Sequence, residues 1–133
     1  MICLDTTFLV QLWRHREDAD HPVHQFLSAN PSETFVVPVV AAGEFLEGAA
    51  HVSQARLRDA VRFLALFSLG QATLDTARHY ACIAADLRSR NLLAGSSKAD
   101  VWIAAWCVEN GAPLATRNVK HFSQVRDLVV EPY

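Results

Sequence analysis

Fourteen acidic side chains are spread over 133 residues, and three of them, with one amide, fall where oxygen ligands can do chemistry. Asp5 directly follows the apolar run Ile2-Cys3-Leu4, and Glu44 sits among apolar Val40, Phe45 and Leu46. Asp100 lies three residues after Ser97, in the first turn of a segment that is apolar nearly all round, and Asn118 follows Pro113-Leu114-Ala115-Thr116. Hard divalent cations such as Mg²⁺ take oxygen ligands and keep several waters. Held in this way, a cation activates water and neutralises charge on an attacked phosphate. If these side chains meet in space, they offer metal-assisted hydrolysis of a phosphate ester. Each also has a plainer reading. Asp5 can cap a helix that begins at Thr6, Ser97-Lys98-Ala99-Asp100 fits a capping box, and Glu44 can be an ordinary exposed helix residue. Glu47, one turn beyond Glu44, is expected to be solvated. Spacing alone leaves both readings open.

The elements that must position these residues follow from periodicity. Residues 2–4 read as a buried strand ending at Asp5, and Phe8, Leu9, Leu12 and Trp13 as a first helix from Thr6. Residues 15–20 are a charged loop; His21-Pro22 opens a second helix, ended by Asn30-Pro31. Residues 34–37 are β-branched and aromatic, as a second strand should be. Pro38 suits the first turn of a third helix, running to about Ala50 and carrying Glu44 and Glu47. A fourth helix is expected over 53–67, with Leu57, Ala60, Val61 and Leu64 on one face, and Gly70 marks a break after a very short strand. Residues 74–90 predict a long helix, 91–95 a loop, and 97–109 a central helix capped at Gly111. The stretches 113–116 and 128–130 are the last strands. Strands alternating with helices imply an α/β domain whose mostly parallel sheet is covered on both faces. Ligands of such sheets bind outside the carboxyl ends of the strands, the edge at which Asp5, Asn118 and the helices of Glu44 and Asp100 should gather.

Apolar residues make up 51% of the chain and charged ones 20%, the balance of a folded single domain spanning 1–133. The net charge of −2 announces no nucleic-acid partner, so one would have to be drawn by a local patch. Lys98, Arg117 and Lys120 flank the acids in sequence and provide such a patch for nucleic-acid phosphates, with His121 and Arg126 as weaker candidates. Arg14 and Arg16 form a second patch, although all of these also read as solvated surface. Trp102 and Trp106, one turn apart, are expected to pack in the core or a dimer interface rather than stack on bases. Cys3, Cys82 and Cys107 show no CxxC pair or zinc spacing and read as buried thiols of a reducing compartment. Nothing resembles a secretory signal, and the longest apolar stretch, 35–42, is broken by Pro38 and too short to span a bilayer. A cytoplasmic protein without a membrane partner is expected.

The segments Leu4-Asp5-Thr6-Thr7-Phe8-Leu9, Gly43-Glu44-Phe45-Leu46-Glu47-Gly48, Ala99-Asp100-Val101-Trp102-Ile103-Ala104-Ala105 and Leu114-Ala115-Thr116-Arg117-Asn118-Val119-Lys120-His121-Phe122 occur in the order seen in PIN-domain proteins. The chain most resembles the VapC-type toxins of bacterial toxin–antitoxin pairs, from Met1 through the Val-Val-Glu-Pro-Tyr ending. The resemblance implies a PIN-like three-layer α/β/α sandwich, acids around Mg²⁺ or Mn²⁺, and cleavage of RNA to leave a 5′-phosphate. Carried onto this chain, it makes Asp5, Glu44 and Asp100 the catalytic, metal-binding acids, with Thr6 orienting or hydrogen-bonding the first. A fourth metal position falls at Asn118, or less readily at His121, where many relatives place an Asp; a neutral residue there weakens the hold on a second metal. The resemblance also implies a homodimer and a small VapB-like antitoxin, whose C-terminal segment enters a groove near the third and fourth helices. Two other functions fit the same residues: a PIN-like module that binds RNA or protein without turnover, and a metal-dependent phosphatase or DNA nuclease.

Overall fold

Strand β1 (Ile2–Leu4) buries all three of its side chains, as a central strand of a sheet covered on both faces must. In the computed structural model, which describes residues 1–133, it is flanked by β2 (Phe35–Pro38) and β4 (Leu114–Ala115). With β3 (Ser68–Gly70) and β5 (Val130–Glu131) the sheet runs β3-β2-β1-β4-β5, and every neighbouring pair is parallel. The expected mostly parallel sheet is thus wholly parallel.

Helices α1 (Thr6–Arg14) and α2 (Pro22–Ala29) join β1 to β2, and α3 (Val39–Val52) and α4 (Gln54–Leu64) join β2 to β3. Helices α5 (Leu74–Ser89) and α6 (Lys98–Asn110) carry the chain back to β4, and the one-turn α7 (Val119–Phe122) precedes β5. The sheet therefore grows first to one side of β1 and then to the other. Right-handed crossovers running in opposite directions put helices on opposite faces, which gives the three-layer α/β/α arrangement. The reversal leaves a crevice between the carboxyl ends of β1 and β4. Leu4, Phe8, Leu9, Val37, Ile103 and Leu114 are among the 23 buried residues of the main core. Helix α6 buries Val101, Ile103, Ala104, Ala105, Trp106 and Cys107, as its all-round apolar character requires, and ends at Gly111 with φ of 60°.

Several expectations are corrected. Pro38 is not in the third helix but closes β2, paired with Gly70, and stands as the N-cap of α3. Without an N–H, proline can end a hydrogen-bonded ladder but not extend it. Helix α4 stops at Leu64 rather than residue 67, because the chain must reach β3, and Val61 is 52% exposed rather than on the packed face. The one turn of α7 had no distinct sequence signal. Cys3 and Cys107 are buried thiols, but Cys82 is exposed on α5. Trp106 belongs to the core, whereas Trp102 is partly exposed and stacks on Tyr80 with ring centroids 4.5 Å apart. No helix is long and apolar enough to cross a membrane.

Trp106 also explains the glycine at position 70. Its indole N–H donates to the Gln71 carbonyl at 3.2 Å, and a Cβ on Gly70 would lie 2.5 Å from the ring. Gly70→Ala should therefore overpack the core and cost about 1–3 kcal/mol. The change would be read as a lower urea midpoint at unchanged m; an unaltered midpoint would mean that the ring moves aside freely.

Candidate active site

Asp5 marks the point where β1 becomes α1. Its Oδ1 accepts the Phe8 N–H at 2.7 Å, so the capping role read from sequence is real. A cap is ordinarily at the surface, however, and this carboxylate is only 4% exposed. Its Oδ2 accepts the Thr116 hydroxyl at 2.6 Å, from just beyond β4. Thr116 Oγ1 in turn accepts the Asn118 N–H at 3.0 Å. Burial pushes the Asp5 carboxyl above the usual carboxylate range; the bonds from Thr116 and Phe8 pull it down, and the charges of Asp100 and Glu44 push it up again. The charges of Glu44 and Asp100 thus both act on the Asp5 carboxyl.

Glu44 is half-buried on α3, and its Oε1 accepts the Thr6 hydroxyl at 2.5 Å. Thr6, expected on the first acid, therefore holds the second, while Thr116 holds the first. Asp100 lies in the first turn of α6, where its N–H donates to Ser97 Oγ at 3.0 Å. The reciprocal half of a capping box is not made, because the Asp100 carboxylate turns toward His121, with Oδ2 3.3 Å from Nε2. Asn118 is tied to the acids only through its backbone bond to Thr116, and it lines a cleft with Lys120 and His121.

Lys98, Arg117 and Lys120 are exposed, and none takes part in a salt bridge. Arg126 instead pairs with Asp86 at 3.4 Å. Arg14 and Arg16 lie at the far end of α1 from Asp5, around Trp13, with the Arg16 guanidinium 5.1 Å from that ring. Glu47 is exposed, as expected.

Tyr133 was not singled out by sequence. Its ring packs on Phe8 at 4.6 Å and under the Arg117 guanidinium at 5.3 Å, and its hydroxyl is buried without a hydrogen-bond partner. Burial pushes this phenol up; the Asp5 charge adds to the rise and Arg117 opposes it. An aromatic residue just past the last strand was the only available signal, and Thr116 had none beyond its place at the end of β4.

The donors at the crevice are carboxylate oxygens, the chemistry a hard cation takes. No ready-made metal-holding group of three His, Cys, Asp or Glu side chains is present. Mg²⁺ needs none, since one or two carboxylates with retained waters commonly suffice. The carboxylates of Asp5, Glu44 and Asp100 are thus matched in donor chemistry to such an ion, taken one or two at a time.

Because the Asp5 carboxyl is raised in the folded chain, its contribution to stability is present while it is protonated and lost as pH rises through the folded value. Asp5→Asn should accordingly melt higher than the parent at pH 7 in metal-free buffer, with the gain shrinking toward acid pH; equal melting at pH 7 would contradict this. Thr116→Val removes a hydrogen bond to the ionised group and should cost about 1.5–3 kcal/mol at pH 7 in chemical unfolding. Less should be lost below roughly pH 4, where aspartic acid is protonated; a loss equal at both pH values would mean that the hydroxyl serves packing rather than charge.

Residues 2–128 match the PIN domain. Over 141 aligned positions the chain is 28% identical to the VapC ribonuclease Y4jK of Sinorhizobium fredii, covering 100% of this chain and 98% of that protein. Similar folds are found in VapBC2 of Rickettsia felis bound to a DNA fragment from its promoter, with TM-score 0.87, 19% identity and coverage of 100% and 99%. DNA-bound VapBC from Salmonella typhimurium gives TM-score 0.84 at 18% identity, covering 99% of this chain and 98% of that one. With a PIN domain matched over nearly its whole length, the chain belongs to the PIN-domain family.

Proposed function

We propose that this protein is a metal-dependent endoribonuclease, the toxin of a toxin–antitoxin pair. The observation that carries the reading is the buried Asp5 carboxylate, in electrostatic reach of Glu44 and Asp100 at the crevice between β1 and β4. Similarity to a VapC ribonuclease supports RNA as the substrate. Asp5, Glu44 and Asp100 would hold Mg²⁺ or Mn²⁺, which when bound supplies an activated water and neutralises charge on the phosphate. Thr116 and Thr6 position the first and second acids, and Asn118 stands at the edge of the site. Lys98, Arg117 and Lys120, free of salt bridges, draw the RNA backbone toward an acidic centre.

The relatives solved as VapBC complexes suggest an antitoxin partner for this chain as well. A groove of about 160 Å³ between α1, α3 and α4, lined by Val10, Trp13, Phe45, Ala49 and Ala60 and rimmed by Arg14 and Arg56, suits a segment that is apolar on one face and acidic at its edges. A second copy of the chain is the other protein partner proposed. Its three free thiols suit the reducing cytoplasm.

Asp5→Asn and Asp100→Asn should each lower RNA cleavage by more than roughly 100-fold, beyond the loss typical of supporting residues around a metal, with circular dichroism unchanged. EDTA should silence the parent. Either variant cleaving at the parental rate would overturn the metal mechanism. Metal uptake without cleavage of any RNA would point instead to a binding module, the reading that the neutral Asn118 favours.

A further inference from the structure

We propose that the cleft beside Asp100, walled by Asn91, Asn118, Lys120, His121 and Gln124, receives one unpaired nucleobase next to the cleaved phosphate and reads it with its carboxamides. The proposal rests on the ribonuclease reading and adds to it a specificity site.

Position, size and chemistry all support it. His121 forms part of the wall, and its Nε2 lies 3.3 Å from Asp100 Oδ2, so an occupant of the cleft is separated from that acid by one imidazole. The cleft measures about 260 Å³. That is below the roughly 300–1,000 Å³ of pockets for drug-sized ligands, and suits a single base. Leu92 is the one apolar residue of the lining. Three amide residues line the space, and none of Asn91, Asn118 or Gln124 spends its side-chain donors or acceptor on the rest of the protein. Each amide therefore keeps two N–H donors and a carbonyl acceptor available, the paired donor–acceptor edge that matches a base.

The walls are also held in place. Arg90 donates to the Gln124 carbonyl at 2.6 Å and is itself bound to Asp86, joining the end of α5 to the segment after α7. Asn91 holds φ of 56°, a left-handed conformation that Asn adopts more readily than most residues. Lys120 is exposed at the rim, where the phosphate of an inserted nucleotide would pass. Sequence-specific binding of single-stranded RNA works in this way, by splaying a base out and hydrogen-bonding its edges.

Neither Asn91 nor Gln124 bonds to Asp5, Glu44 or Asp100, which makes them suitable for a test. RNA oligonucleotides that differ only in the base on either side of the cut would be cleaved by the parent and by an Asn91→Ala/Gln124→Ala double variant. The parent should favour one base at one of these positions, and the double variant should flatten that preference roughly tenfold, as loss of a good bidentate contact does. In parallel, the parent in EDTA would be titrated with AMP, GMP, CMP and UMP, and the side-chain amide resonances of Asn91 and Gln124 should move, most for the favoured base. RNA cleaved with no base preference, or with one the double variant retains, overturns the base site and leaves the ribonuclease standing. Selective movement of the amides without cleavage of any RNA supports the base site and removes the ribonuclease reading.

Discussion

A carboxylate buried at the end of a central strand is expensive unless its oxygens are met by donors. At Asp5 one oxygen is met by the first turn of α1 and the other by Thr116, beyond the adjacent strand β4. Both donors exist only if β1 lies beside β4 and α1 starts immediately after β1, so the charge is tied to the strand order itself. The core around Leu4, Phe8 and Leu114 keeps water from that end of the strand, which is why the acid is costly to ionise and responsive to its neighbours.

The other acids follow a common pattern. Each of the three has a polar side-chain neighbour: the Thr116 hydroxyl donates to Asp5, the Thr6 hydroxyl donates to Glu44, and the His121 imidazole lies 3.3 Å from Asp100. None of the three is neutralised by an arginine or lysine salt bridge. A full ion pair at each would dissipate the negative field at the crevice, whereas a hydroxyl fixes a carboxylate and leaves most of its charge in place. The nearby cations stay exposed, and Arg117 is held over the Tyr133 ring rather than against an acid. The result is a negative centre with positive approaches.

Helix α1 connects this centre to a different surface. Its first residues frame Asp5 and Thr6, and its last turn carries Trp13 and Arg14 into the apolar groove with α3 and α4. Trp13 packs edge-on against Phe45 and Phe63 and lies under two guanidinium groups, those of Arg16 and Arg56. One rigid element of nine residues thus serves both the acids and the groove.

By itself the sequence determined what short-range pattern can encode. The apolar run 2–4, the helical spacing of residues 8–13 and the all-round apolar segment after Ser97 are each set by neighbours a few positions away, and all became the elements expected. Asp5 and Asp100 were legible for the same reason, since each stands where a strand ends or a helix begins. Which donor serves which acid was decided only by tertiary structure. The bond from Thr116 to Asp5 spans 111 positions and depends on parallel pairing of β1 with a two-residue strand too short to reveal its register. For the same reason Thr6 turned to Glu44, Arg126 left the site for Asp86, Cys82 faced outward, and the amides of residues 91, 118 and 124 came to share a cleft. Local periodicity fixes which face of an element is apolar, but it carries no information on which distant element that face will meet.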